Sequence, residues 1–231
     1  MKTSNKLLLA LFAFILVSSL GANLPLKKTY DTINRNDPYY GYAHETLPAF
    51  KYVKLVGQSN VLAQIQLGTR FEMRRVHFKG GSNGKGVITE MRGDTLIVLF
   101  EKDARPESYS FEKDPLDRKP SIYIMAPTLS GVSSEGIFNK ITGWQGGSLS
   151  VTQVGKNALL TDNRFDSLSV SAYSGSFVDI DANNRIGAAT CQVRDSSRLA
   201  VEKDIFNTFQ LQADTNAHVS LPGSMLRKVN L

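Results

Sequence analysis

Residues 149–221 read LSVTQVGKNALLTDNRFDSLSVSAYSGSFVDIDANNRIGAATCQVRDSSRLAVEKDIFNTFQLQADTNAHVSL, and two apolar alternations recur through them. One runs Leu149-x-Val151, Leu168-x-Val170, Ala189-x-Cys191 and Phe209-x-Leu211, with spacings of 19, 21 and 20 residues. The other runs Ala158-x-Leu160, Val178-x-Ile180, Leu199-x-Val201 and Val219-x-Leu221, at 20, 21 and 20. Alternation at period two marks short strands with one buried face. Its recurrence at a fixed step marks units that stack and cover one another's apolar faces. The expected fold is all-β: a single-stranded β-helix-like solenoid with coils of about 20 residues, each some 66 Å around at ~3.3 Å per residue. The gaps between alternations hold residues that turn readily, among them Gly155-Lys156-Asn157, Ser174-Gly175-Ser176, Ala182-Asn183-Asn184 and Asp195-Ser196-Ser197.

Upstream the pattern loosens. Val61-x-Ala63-x-Ile65-x-Leu67 alternates cleanly after a turn at residues 57–60, and Phe71-x-Met73 and Val76-x-Phe78 continue it. Residues 80–84 read as a glycine-rich loop. Residues 87–91 and 95–100 form a hairpin across Arg92-Gly93-Asp94, since glycine followed by aspartate suits a tight turn. Residues 101–120, charged and bearing Pro106, Pro115 and Pro120, read as a surface loop before Ile122-x-Ile124 resumes the strands. No amphipathic helix of three turns is expected after residue 27.

The N-terminus is a targeting segment, residues 1–26. Lys2 and Lys6 precede an uninterrupted apolar run over 7–17, followed by Ser18, Ser19, Gly21 and Ala22. Cleavage after Gly21 is the favoured outcome, and retention as a membrane anchor the alternative, because residues 7–26 approach the ~20 needed to span a bilayer. Either way the remainder is exported, to the periplasm, outer membrane or cell surface. Residues 27–46 form a linker, whose Tyr39, Tyr40 and Tyr42 suit the capping of an exposed core end. The folded domain is then 47–231.

Composition narrows the function classes. With 42% hydrophobic and 21% charged residues the chain is not a disordered one. Cys191 is its only cysteine, which removes intrachain disulfides and multi-cysteine metal sites, and its inward slot suits a small buried apolar residue. The net charge of +6 falls to +4 without Lys2 and Lys6. Much of the excess lies in Arg70, Arg74, Arg75, Lys79 and Lys85, opposed locally by Glu72 alone. This basic stretch is the candidate ligand-binding patch, with acidic glycan or envelope lipid as partners and no specific nucleic acid. Its plainer role is to keep an edge strand soluble.

Other motifs fare less well. Arg92-Gly93-Asp94 matches an integrin-read tripeptide, but a hairpin turn explains it. His44, His77 and His218 lack metal-pair spacing, so no metal or other cofactor is expected. A carbohydrate-cleaving enzyme on acidic polysaccharide is the alternative class, and it needs clustered carboxylates. Asp179 and Asp181 are the nearest approach. They flank inward Ile180, so both are expected in solvent with ordinary pKa values and without a third acid or a cation beside them. The expected function is therefore non-enzymatic: an interaction, adhesion or structural module of the envelope.

Three stretches carry a family resemblance: residues 50–68, the hairpin around Gly93-Asp94-Thr95-Leu96-x-Val98, and Ser121-Ile-x-Ile-Met-Ala-Pro127-x-Leu129. In their order they resemble the auto-transporter adhesin head GIN domain family (DUF2807), over roughly residues 47–223. The resemblance implies a right-handed β-helix on an exported bacterial protein and supplies no catalytic residue. The family's Ser-Gly-Ser-Gly corners are reduced here to Leu129-Ser130-Gly131, Tyr173-Ser174-Gly175-Ser176 and Pro222-Gly223-Ser224.

Overall fold

The structure, a computed structural model, describes residues 3–31, 33–34, 37–79, 86–102, 105–106, 114–227 and 229–230. It divides into two units, Met1–Gly41 and Tyr42–Leu231. The first contains one helix, α1 (Thr3–Asp31), whose span Thr3–Lys28 is long and apolar enough to cross a membrane. An apolar helix thus stands where a signal or anchor segment is expected. Of the stretch read as linker, residues 27–31 continue this helix, and Ala43–Thr46 form a strand of the second unit.

The second unit is built from strands. In chain order they are β1 (Ala43–Thr46), β2 (Tyr52–Val56), β3 (Leu62–Leu67), β4 (Glu72–Arg75), β5 (Phe78–Lys79), β6 (Val87–Arg92) and β7 (Thr95–Phe100). There follow β8 (Arg105–Pro106), β9 (Ile122–Ala126), β10 (Gly131–Glu135), β11 (Phe138–Thr142), β12 (Ser148–Val154) and β13 (Asn157–Thr161). The last are β14 (Arg164–Tyr173), β15 (Phe177–Ile180), β16 (Arg185–Val193), β17 (Arg198–Val201), β18 (Phe206–Ala213), β19 (His218–Ser220) and β20 (Val229–Asn230). One nine-stranded sheet, here sheet I, has the order β1-β4-β9-β3-β11-β13-β15-β17-β19, and a second, sheet II, the order β20-β18-β16-β14-β12-β10-β2-β7-β6. β5 and β8 make a separate antiparallel pair.

From β10 onward the chain alternates between the two sheets, each strand pairing in parallel with the next one in its own sheet. Leu149, Leu168, Ala189 and Phe209 lie side by side in sheet II, and Ala158, Val178, Leu199 and Val219 in sheet I. Both sheets contribute to one apolar core, in which Val170, Ile180, Val201, Leu211 and Cys191 are buried.

The single-stranded, right-handed β-helix-like solenoid is not what forms. The sheets are mixed, with β1–β4, β4–β9 and β6–β7 antiparallel, and they do not close into one coil. Strand order departs from chain order as well. β7 and β9 lie on one side of β2 and β3, while β10 and β11 lie on the other. The cause is local. Gly93, at φ +61°, and Asp94 turn the chain within two residues, and so short a link joins only antiparallel strands. The chain then crosses back over a layer already laid down before it begins the regular alternation.

The corners between sheets carry buried polar side chains that repeat as the core does. Asn163 and Asn184 fill successive corners, as do Ser176 and Ser197, and each spends its hydrogen bonds on nearby main chain. A turn brings backbone groups inward where no strand ladder satisfies them, so a short amide or hydroxyl side chain is needed there.

Candidate functional site

Among the described residues, the basic stretch divides between two faces. β4 alternates, so Met73 and Arg75 share the core-side face and Arg74 lies on the other. Arg74 Nε donates to Glu72 Oε1 at 3.3 Å, and His44 Nε2 approaches Glu72 Oε2 at 2.9 Å. Burial pushes the Glu72 carboxyl up, but the hydrogen bonds from His44 and Arg74 outweigh it and hold it below the usual carboxylate range. Arg75 instead reaches across to the edge of sheet II. Its Nη1 donates to Val87 O at 3.2 Å and its Nη2 lies 3.8 Å from Glu45 Oε2, while Thr89 Oγ1 donates to the other Glu45 oxygen at 3.3 Å. Arg70 is exposed in the bend before β4. Lys79 enters through the backbone of β5 alone, its side chain being outside the described residues, as are Lys85 and the glycine-rich loop.

Asp179 and Asp181 do flank buried Ile180 and lie on the outer side of sheet I, but their surroundings differ from those expected. Glu202 is a third acid beside them, and Lys140 a nearby cation. Partial burial, then the charges of Glu202 and Asp181, push the Asp179 carboxyl up. Burial also acts upward on Asp181, but hydrogen bonds with the Asn183 amide, the Thr161 hydroxyl and the Glu202 side chain, with the charge of Lys140, bring it down. The ordinary pKa values expected for both are thus replaced by opposed shifts. Sequence spacing held the signal: Glu202 follows Val201 as Asp181 follows Ile180, 21 residues on, and Lys140 stands in the same cross-strand row as Leu159 and Asp179.

These acids are occupied with the main chain. Asp181 Oδ1 accepts from Asn183 N at 3.0 Å and its Oδ2 from Thr161 Oγ1 at 2.8 Å, and Glu202 Oε2 accepts from Ala182 N at 3.1 Å. Asp214 does the same one corner further, accepting from Asp195 N at 2.7 Å. Among the described residues no three His, Cys, Asp or Glu side chains gather as metal ligands.

A concavity lies elsewhere, where β2, β10 and β12 end together. There Gly57, Gln58, Glu135, Gly136, Gly155 and Lys156, with Val154 beside them, line a cavity of about 390 Å³. Several other side chains serve the fold. Cys191 is fully buried, which pushes its thiol up to about 12. Trp144 is buried and donates from Nε1 to Ile65 O at 3.3 Å. Tyr42 packs edge-on against Tyr123 at 5.3 Å, donates to Pro120 O, and lies under Lys119 Nζ at 4.7 Å. Arg92 pairs with Glu90 at 2.9 Å across the hairpin's exposed face.

No protein-family model matches the chain, and no curated protein does. Solved structures similar to it include a "putative adhesin" of Bacteroides fragilis, 13% identical with a TM-score of 0.40 over 78% of this chain and 91% of that one. Another is a "putative lipid binding protein" of Parabacteroides distasonis, 11% identical with a TM-score of 0.36 over 78% and 92%. Both likenesses are weak, and neither assigns a ligand.

Proposed function

We propose that this chain is a non-enzymatic module of the bacterial cell envelope, exported by its N-terminal helix and making contact with an anionic partner. The carrying observation is that one uninterrupted apolar helix, Thr3–Asp31, precedes a unit built almost wholly of strands. Its uninterrupted apolar run, residues 7–17, has the length of a signal core, and its helical span of 26 residues is also long enough to anchor, so the helix serves export in either case. The employment of Asp181 and Glu202 in capping corners supports a structural rather than catalytic role for the acids. Membership of the GIN domain family belongs to the same proposal, supported by the three quoted stretches, which now fall on β2–β3, on the hairpin β6–β7 and on β9.

The contact surface is the outward part of the basic stretch, Arg70 and Arg74. Its test is binding of the full chain in detergent to an acidic polysaccharide and, separately, to vesicles with and without anionic lipid. Binding to one of them should weaken steeply with salt and fall on Arg70→Gln with Arg74→Gln. Binding indifferent to both salt and substitution removes the surface. Fractionation of cells settles export: recovery of the intact chain in the cytosol overturns it.

A further inference from the structure

The corner cavity holds two charges that corner geometry does not require. Its glycines are accounted for by the fold. Gly136 and Gly155 have φ of +69° and +75°, and a Cβ on Gly136 would lie 1.9 Å from Gly57 O. The corner amides are committed too: Gly57 N donates to Glu135 O at 3.0 Å, Gly136 N to Val154 O at 2.9 Å and Gly155 N to Tyr173 O at 3.2 Å. What remains is a glycine-floored concavity that Glu135, Lys156 and Gln58 also line.

The ammonium is held in place. Lys156 Nζ donates to Asn60 Oδ1 at 3.1 Å and lies 5.1 Å from the Phe138 ring centroid. Asn60 takes one of its three protons, leaving two donors. Among the described residues no ion pair joins Lys156 to Glu135, although they line the same cavity. An acid and a base lining one concavity, the base tied by Asn60, match a ligand whose own charges are opposite and separated. An anion would meet Glu135, a cation would meet Lys156, and a neutral ligand would leave both partly desolvated without a partner.

We propose that this cavity binds a small zwitterion of the amino-acid type, with Lys156 taking its carboxylate and Glu135 its ammonium. At about 390 Å³ the open concavity has room for a molecule of that size. This site is independent of Arg70 and Arg74, and either surface can fail without the other.

The experiment uses the full chain in detergent with ¹⁵N-labelled glycine, titrated with L-alanine, acetate, ethylammonium or glucose. L-Alanine should move the amide signals of Gly57, Gly136 and Gly155 saturably. Acetate, ethylammonium and glucose should each bind at least about tenfold more weakly. Glu135→Gln and Lys156→Gln should each weaken L-alanine at least about tenfold, the loss expected of one charged contact worth ~1.4 kcal/mol. Lys156→Arg keeps the charge and the ability to donate, and should retain binding. Glucose moving these signals as well as L-alanine does, no response to L-alanine, or L-alanine binding unchanged in both glutamine variants each overturns the proposal.

Discussion

Asn184 Oδ1 accepts from both amides of Asn163, backbone and side chain, at 3.0 Å each. The Asn184 Nδ2 in turn donates to Leu160 O at 2.7 Å and Asp181 O at 2.8 Å, and Asn163 Nδ2 donates to Ile141 O at 2.9 Å. Two side chains thereby tie three consecutive corners. Asn184→Ala should destabilise by about 1–3 kcal/mol, because it strands buried main-chain groups. At this chain length each kcal/mol lowers Tm by roughly 2–4 °C. Asn184→Asp should be worse, since it loses both donors and adds a charge facing two carbonyls. A Tm unchanged in both variants would show that the corners do not depend on the amides.

Ile180 is fully buried between Leu160 and Val201 in sheet I. Its truncation to alanine should destabilise by about 2–5 kcal/mol, and the milder Ile180→Val by about 0.5–1.5 kcal/mol. Denaturant midpoints with a constant slope give both values. A loss under ~0.5 kcal/mol for alanine, the size of a surface effect, contradicts burial at this position.

What the sequence discloses here follows from how local each signal is. The alternations after residue 148 recur at a constant step, so Leu149 and Leu168, or Val178 and Leu199, can be set side by side without coordinates. Gly93 and Asp94 likewise announce a hairpin. Neither signal says where the hairpin goes, and the placing of β9 between β4 and β3 depends on contacts between residues far apart in the chain. At the candidate sites the losses differ in kind. Strand alternation alone separates Arg74 from Arg75, so that division was available. Glu135 and Lys156 lie 21 residues apart, about one repeat step, but the cavity they line also needs the end of β2, which the repeat spacing does not reach.

Arg74 and Arg75 should therefore behave differently on substitution. Arg75→Gln breaks the link between Val87 O and Glu45 at the edges of the two sheets and should lower stability by about 1 kcal/mol, discounted for partial exposure. Arg74→Gln loses one part-buried contact to a Glu72 carboxylate that keeps its contact with His44, spans no two sheets, and should lower Tm by less than Arg75→Gln does. Thermal melts of the two variants under one buffer decide this, and equal Tm losses would contradict the opposite-face assignment.

Asp179 and Asp181, two residues apart, should give stability opposite dependences on pH. The folded state raises the Asp179 pKa, so its favourable contribution is present below the unfolded value and disappears as pH rises through the folded one. The folded state lowers the Asp181 pKa, so its contribution is present above the unfolded value and is lost as pH falls through the folded one. At neutral pH Asp179→Asn should consequently raise Tm by relieving the repulsion from Glu202 and Asp181. Asp181→Asn should lower it by weakening the ties to Asn183 and Thr161. Both groups are partly open to water, so each change should stay within about 1 kcal/mol. The benefit of Asp179→Asn should fade toward pH ~3, where the native carboxyl is itself neutral. Melts of wild type and both variants from about pH 3 to 7 test this directly, and a shift in the same direction for both at pH 7 would refute the opposed environments.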